Sequence, residues 1–68
     1  MFLVIEIQKH SDSQLIPTLT TWATKEEAEN KYHTVLSYAA VSEVPIHSAV
    51  VLDETGCILR NKSYNHID

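Results

Sequence analysis

The chain has 68 residues, with five basic and nine acidic side chains, one cysteine and 44% hydrophobic residues. That is enough for one domain over residues 1–68, and a chain this short buries only about 60% of its unfolded surface. The lone Cys57 excludes an internal disulfide and fits a reducing compartment, and the five basic residues are scattered over a chain of net charge −4, unlike the concentrated basic face of a duplex binder.

Residues 2–8 read as a first strand, with Leu3, Ile5 and Ile7 on one side and Phe2 and Val4 on the other. The polar run over residues 10–14 is a turn. Residues 15–22 read as a second strand. Pro17 cannot donate to a ladder, so it belongs at a sheet edge or a strand's start.

Residues 24–40 read as an amphipathic helix. Ala28, Tyr32, Val35, Leu36, Ala39 and Ala40 share one stripe at 3.6-residue spacing. Thr24 with Glu27 three residues on is a capping-box pattern, and Glu27 with Lys31 is a favourable i,i+4 pair. Pro45 pushes Val44 toward an extended conformation and ends the segment. Residues 46–52 are a third strand. Residues 53–56 are a turn with Gly56 free to take positive φ. Residues 57–64 are a fourth strand, more polar and therefore more exposed, and residues 65–68 are a short tail.

The order ββαββ predicts an α+β fold, a four-stranded sheet with one amphipathic helix packed on one face. The crossover rule makes the segments flanking the helix parallel without saying which strands are neighbours. One helix covers one side, yet the first and third strands are apolar on both. Phe2, Val4, Ala49 and Val51 alternate away from the side of Leu3, Ile5, Val50 and Leu52. Either the assignment of faces is wrong, or a second copy covers that side. The expectation is a homo-oligomer through that face.

The residues Glu26-Glu27-Ala28-Glu29-Asn30-Lys31-Tyr32-His33, Ala39-Ala40-Val41-Ser42, Val44, His47-Ser48-Ala49, Tyr64 and His66 carry a resemblance. The pattern resembles a family of very short proteins of unknown function from bacteriophages and prophages of clostridial-type gut bacteria. The resemblance implies a phage origin and no catalytic residues. Small phage proteins of this kind are often host-takeover or anti-defence factors that act by binding, which is an inference by association.

No metal site is expected. His10, His33, His47 and His66 contain no pair at i,i+2, i,i+3 or i,i+4, and Cys57 stands ten residues past His47. His33 and Ser37 share a helix flank, but a nucleophile needs an orienting third group and free N–H donors, which a helix interior lacks. Trp22 reads as a plug at the end of the core, and Tyr38 with Val41 as a weaker second stripe. His47 shares the face expected to meet the partner copy. Arg60, Lys62, Tyr64 and His66 put two cations, a phenol and an imidazole on one side of the last strand and its tail. That set suits a phosphate or a base, and it also suits simple protection of a sheet edge.

The expected function is therefore a non-enzymatic, oligomeric binding protein with no cofactor, an anti-defence factor sequestering a small anionic, nucleotide-like ligand. The tentative site residues are Arg60, Lys62, Tyr64, His47 and His66. The alternative is a structural or regulatory protein that binds a host or phage protein without a small ligand. Neither a membrane nor nucleic acid is expected as a partner, and the host cytosol is the expected location, since no apolar run approaches the ~20 residues of a span.

Overall fold

A computed structural model of the protein describes residues 1–66. The last two residues of the expected tail, Ile67 and Asp68, lie outside the described residues. A β-branched apolar run makes β1 (Phe2–Lys9), which turns back into β2 (Leu15–Trp22). The turn is held by its own polar groups. The His10 N–H donates to the Gln14 carbonyl and the Ser13 N–H to the His10 carbonyl, both at 2.9 Å. The Gln14 N–H donates to the Asp12 carboxylate at 2.9 Å. Ser13 takes a left-handed φ of 69° to close it.

Helix α1 (Lys25–Ala39) starts where the cap places it. Thr24 is extended, and its hydroxyl accepts the Glu27 N–H at 3.2 Å while donating to the Glu27 carboxylate at 3.0 Å. The expected Glu27–Lys31 pair does not form. Ion pairs among the described residues join Met1 to Glu54, Glu6 to His47 and Glu29 to Arg60. Lys31 instead lies near Glu6, where its charge favours the carboxylate.

The remaining strands are β3 (Ile46–Asp53) and β4 (Ile58–Asn65). Their turn is organised by Asp53, whose carboxylate accepts from the Thr55 N–H at 2.9 Å, the Thr55 hydroxyl at 2.6 Å and the Cys57 N–H at 3.0 Å. Gly56 takes φ 89°, which an L side chain rarely adopts, and its N–H donates to the Asp53 carbonyl at 3.1 Å.

The four strands form one antiparallel sheet in the order β2-β1-β3-β4. β2 and β3 flank β1 and so run parallel to each other, as a crossover through one helix requires. Pro17 sits on the edge strand β2, and β4, the other edge, is exposed along most of its length. The fold is thus α+β in the order ββαββ, with the helix across one face.

The face expectation is corrected. The helix covers Val4, Ala49 and Val51, not the side of Leu3, Ile5, Val50 and Leu52. Val4 and Val51 are 1% exposed, and Ala28, Tyr32 and Val35 of the helix close over them, with Phe2, Trp22 and Leu36 around the margin. Small side chains explain the choice. Ala49 gives that face a small side chain at the centre of β3, and the fully buried Ala28 and Ala39 let the helix backbone approach it closely. The bulkier leucines and isoleucines are left on the other. Ala40, expected in the stripe, is exposed, because the helix ends at its Cap position.

One further device acts at β4. The register shifts between Val51 and Leu52, so Arg60 opposes Val51 and Ile58 opposes Leu52. Period two alone puts Ile58 beside Arg60. The bulge sends Ile58 to the open face and keeps Arg60, Lys62 and Tyr64 on the helix side.

Candidate functional site

The helix packs on β3 and β1 and reaches β2, while β4 projects past its flank. The inner face of β4 is therefore a shelf beside the helix. Arg60, Lys62 and Tyr64 lie along it at every second residue, opposite Val51, Ala49 and His47. All five tentative site residues fall on or beside this shelf, but they differ in what already holds them.

Arg60 is engaged. Its Nε donates to the Glu29 carboxylate of the helix at 2.9 Å. That hydrogen bond, with the guanidinium charge behind it, holds the Glu29 carboxyl below its usual 4.5. Lys62 has no carboxylate within ion-pair distance among the described residues. Its ammonium stands 5.3 Å from the centre of the Tyr64 ring, a cation–π distance. Tyr64 is half-buried, and its ring is parallel to that of His66, with centroids 6.3 Å apart and 5° between planes. His66 closes the shelf. Its N–H donates to the Pro45 carbonyl at 2.7 Å, and its Nε2 donates to the Ala39 carbonyl at 2.9 Å. The helix has no basic residue in its last turn, so this imidazole from the end of β4 satisfies one of its terminal carbonyls.

His47 is the surprise. Only 4% exposed, it lies beneath the helix and not on an outer face. Its Nε2 donates to the Glu6 carboxylate at 2.6 Å. Burial pushes the Glu6 carboxyl up, but the hydrogen bonds from His47 and Gln8 and the charges of His47 and Lys31 outweigh it, so its pKa lies below the usual 4.5. With Nε2 donating, Nδ1 is buried without a partner. The network continues along β1: the Gln8 amide donates to Glu6 at 3.2 Å, and His10 bonds the other end of that amide at 3.1 Å. A carboxylate holding an imidazole is the orienting half of a general base. Here the imidazole is sealed under the helix, which gives the pair a structural role. Sequence reasoning missed Glu6, because its partner is 41 residues away and only the register Gln8↔His47 brings the two strands together.

A separate hollow of about 410 Å³ opens at the β1–β2 turn, lined by Lys9, His10, Ser11, Ser13 and Pro45. It includes none of the shelf residues. No group of three or more His, Cys, Asp or Glu side chains among the described residues is arranged to hold a metal ion. No helix among them is long and apolar enough to cross a membrane.

What these elements define as a class is a helix-on-sheet α+β domain with one covered and one open sheet face. No family model matches the chain, and neither curated proteins nor solved structures give a significant match. What the protein does must be read from its own residues.

Proposed function

We propose that this protein works by binding, as an oligomer and without catalysis, and that it holds a small anionic, nucleotide-like ligand on the β4 shelf. The observation that carries the reading is Lys62. It is a cation with no carboxylate partner among the described residues, poised over the Tyr64 ring in the strip of sheet that the helix leaves open. Lys62 supplies charge, Tyr64 supplies a stacking face, and Arg60 adds a second charge if the ligand's oxygen competes with Glu29. Charge-assisted hydrogen bonds of about 1.5–3 kcal/mol and base stacking of about 1–3 kcal/mol together reach micromolar affinity. His47 contributes by holding the strand beneath Tyr64, since its own ring is buried. The resemblance to short phage proteins supports sequestration of a host signalling nucleotide as the purpose, in the host cytosol.

A second reading is favoured by Tyr38 and Val41, 67% and 82% exposed at the end of the helix. An exposed aromatic–aliphatic pair suits a host or phage protein partner without any small ligand. Calorimetry with cyclic and linear nucleotides separates the two. Heat with the wild type, abolished by Lys62→Ala and by Tyr64→Ala, is the expected result. No heat from any nucleotide transfers the function to the protein-partner reading.

A further inference from the structure

We infer that a second copy of this chain covers the open face of the sheet, packed sheet against sheet with the two helices outermost. The inference rests on the oligomeric part of the reading above and is independent of the ligand.

The open face is built by the residues whose partners in the ladder point away from the helix. Leu3 pairs with Leu52, Ile5 with Val50 and with Leu19, and Ile58 with Leu52. These side chains are contiguous, and nothing in the chain's described residues lies over them. Leu19 and Ile58, at the two sides of the patch, are each 57% exposed. Four strands of eight residues present about 26 Å by about 19 Å, or roughly 500 Å² per copy, at ~3.3 Å per residue and ~4.8 Å per strand. Two copies bury about 1,000 Å² before side-chain relief is counted, which reaches the lower bound of a specific interface. Thr21, Ser48, Asn61, Ser63 and Asn65 make the margin of that face polar, around a centre of apolar side chains from β1, β2 and β3.

Charge selects a second copy as the occupant. In the register of the four strands, the open face carries no carboxylate, and its single cation, Lys9, stands at the end of β1. A two-fold interface sets a patch against itself, so a charged centre would repel, and this centre is uncharged. The edges argue against the other common route. Pro17 removes an N–H donor from the edge strand β2, and Arg60 and Lys62 alternate along β4, which discourages pairing of edge strands. Face-to-face packing at ~10 Å between sheets remains.

The test is sedimentation velocity of the wild type and of Leu19→Lys and Val50→Lys, each checked by far-UV circular dichroism. Wild type at the mass of two chains, with both variants folded at the mass of one, is the expected outcome. Should Val50→Lys fail to fold, Leu19→Lys decides, because Leu19 is exposed on an edge strand. A wild type with the mass of one chain at millimolar concentration removes the oligomeric reading and this interface together, as does one that floats with neutral lipid vesicles as a single chain. Two-chain mass in the wild type and in the folded variants keeps the oligomer but moves its interface elsewhere, and so overturns the inference.

Discussion

At the scale of single residues, the Glu6–His47 bond is expected to contribute to stability, because it satisfies an imidazole that the helix has sealed from water. Glu6→Ala leaves Nε2 of His47 buried without an acceptor. The expected loss is about 1–3 kcal/mol, or a fall in Tm of about 4–8 °C per kcal/mol in a domain of this size, read by thermal denaturation. Glu6→Gln keeps an acceptor and loses less. The pH dependence has a definite sign. Glu6, Glu29 and Asp53 all have carboxyl pKa values below their usual ones: in Glu6 its bonds outweigh burial, in Glu29 the Arg60 bond leads and in Asp53 the Thr55 hydroxyl leads. A depressed carboxyl stabilises the fold fully above its unfolded value, and that contribution is lost as pH falls through the folded value. Urea midpoints therefore hold down to the ordinary carboxylate range and drop below it, and Glu6→Gln flattens the drop. Ser13 offers a gain. Its left-handed φ disfavours an L side chain, so Ser13→Gly raises stability by up to about 1 kcal/mol, offset in part by the entropy glycine loses.

At the scale of elements, the helix cap and the helix face behave differently under substitution. Thr24→Ala removes the acceptor for the Glu27 N–H and costs about 1 kcal/mol, measured by chemical denaturation. Val51→Lys puts an ammonium into the contact between β3 and α1, so the expected result is an unfolded chain by circular dichroism and not a folded one of altered mass. The elements themselves were legible in the sequence. Capping residues, the 3.6-residue stripe, Pro17 and Gly56 each carry a local signal, and strands and helix fall within a residue or two of expectation. The choice of face was not legible. β1 and β3 alternate two apolar sets of similar strength, so periodicity does not rank them. What distinguishes them is the small Ala49 at the centre of one face, which matters only once helix and sheet are brought together. The row Arg60, Lys62, Tyr64 was legible from spacing alone. The burial of His47, the Glu29 clamp on Arg60 and the seat of His66 on the Ala39 carbonyl were not, since each depends on a partner 27 or more residues away.

At the scale of the whole molecule, the fully buried set among the described residues is small: two valines of β1 and β3, and alanines of β3 and α1, with Tyr32 and Val35 beside them. Such a core leaves a thin margin, and burial of a second face by the proposed second copy would add to it. The melting temperature of the wild type is therefore expected to rise with protein concentration, as mass action requires when association stabilises the folded chain. The folded Leu19→Lys variant is expected to show no such dependence. Differential scanning calorimetry over a dilution series reads both.

The strand order has a consequence for how the chain reaches this structure. β1 is first in the chain but central in the sheet, and half of its ladder pairs are with β3, with pairs as distant as Phe2 and Asp53. During synthesis, β1 and β2 can close their local hairpin early, yet the hairpin then carries an open inner edge until β3 emerges. An isolated hairpin is marginal in water, and an unfilled edge invites foreign strands. Joining the β1–β2 hairpin to the β3–β4 hairpin waits on contacts of long loop closure, so the docking of β3 into the gap beside β1, with α1 bringing it there, is expected to limit the rate. Folding is thus expected in the range of mixed α/β domains, slower than a helical bundle of equal length. Substitutions at Val4 and Ala49, where β1, β3 and α1 meet, are expected to slow it most, while those in the Asp53–Gly56 turn speed unfolding instead.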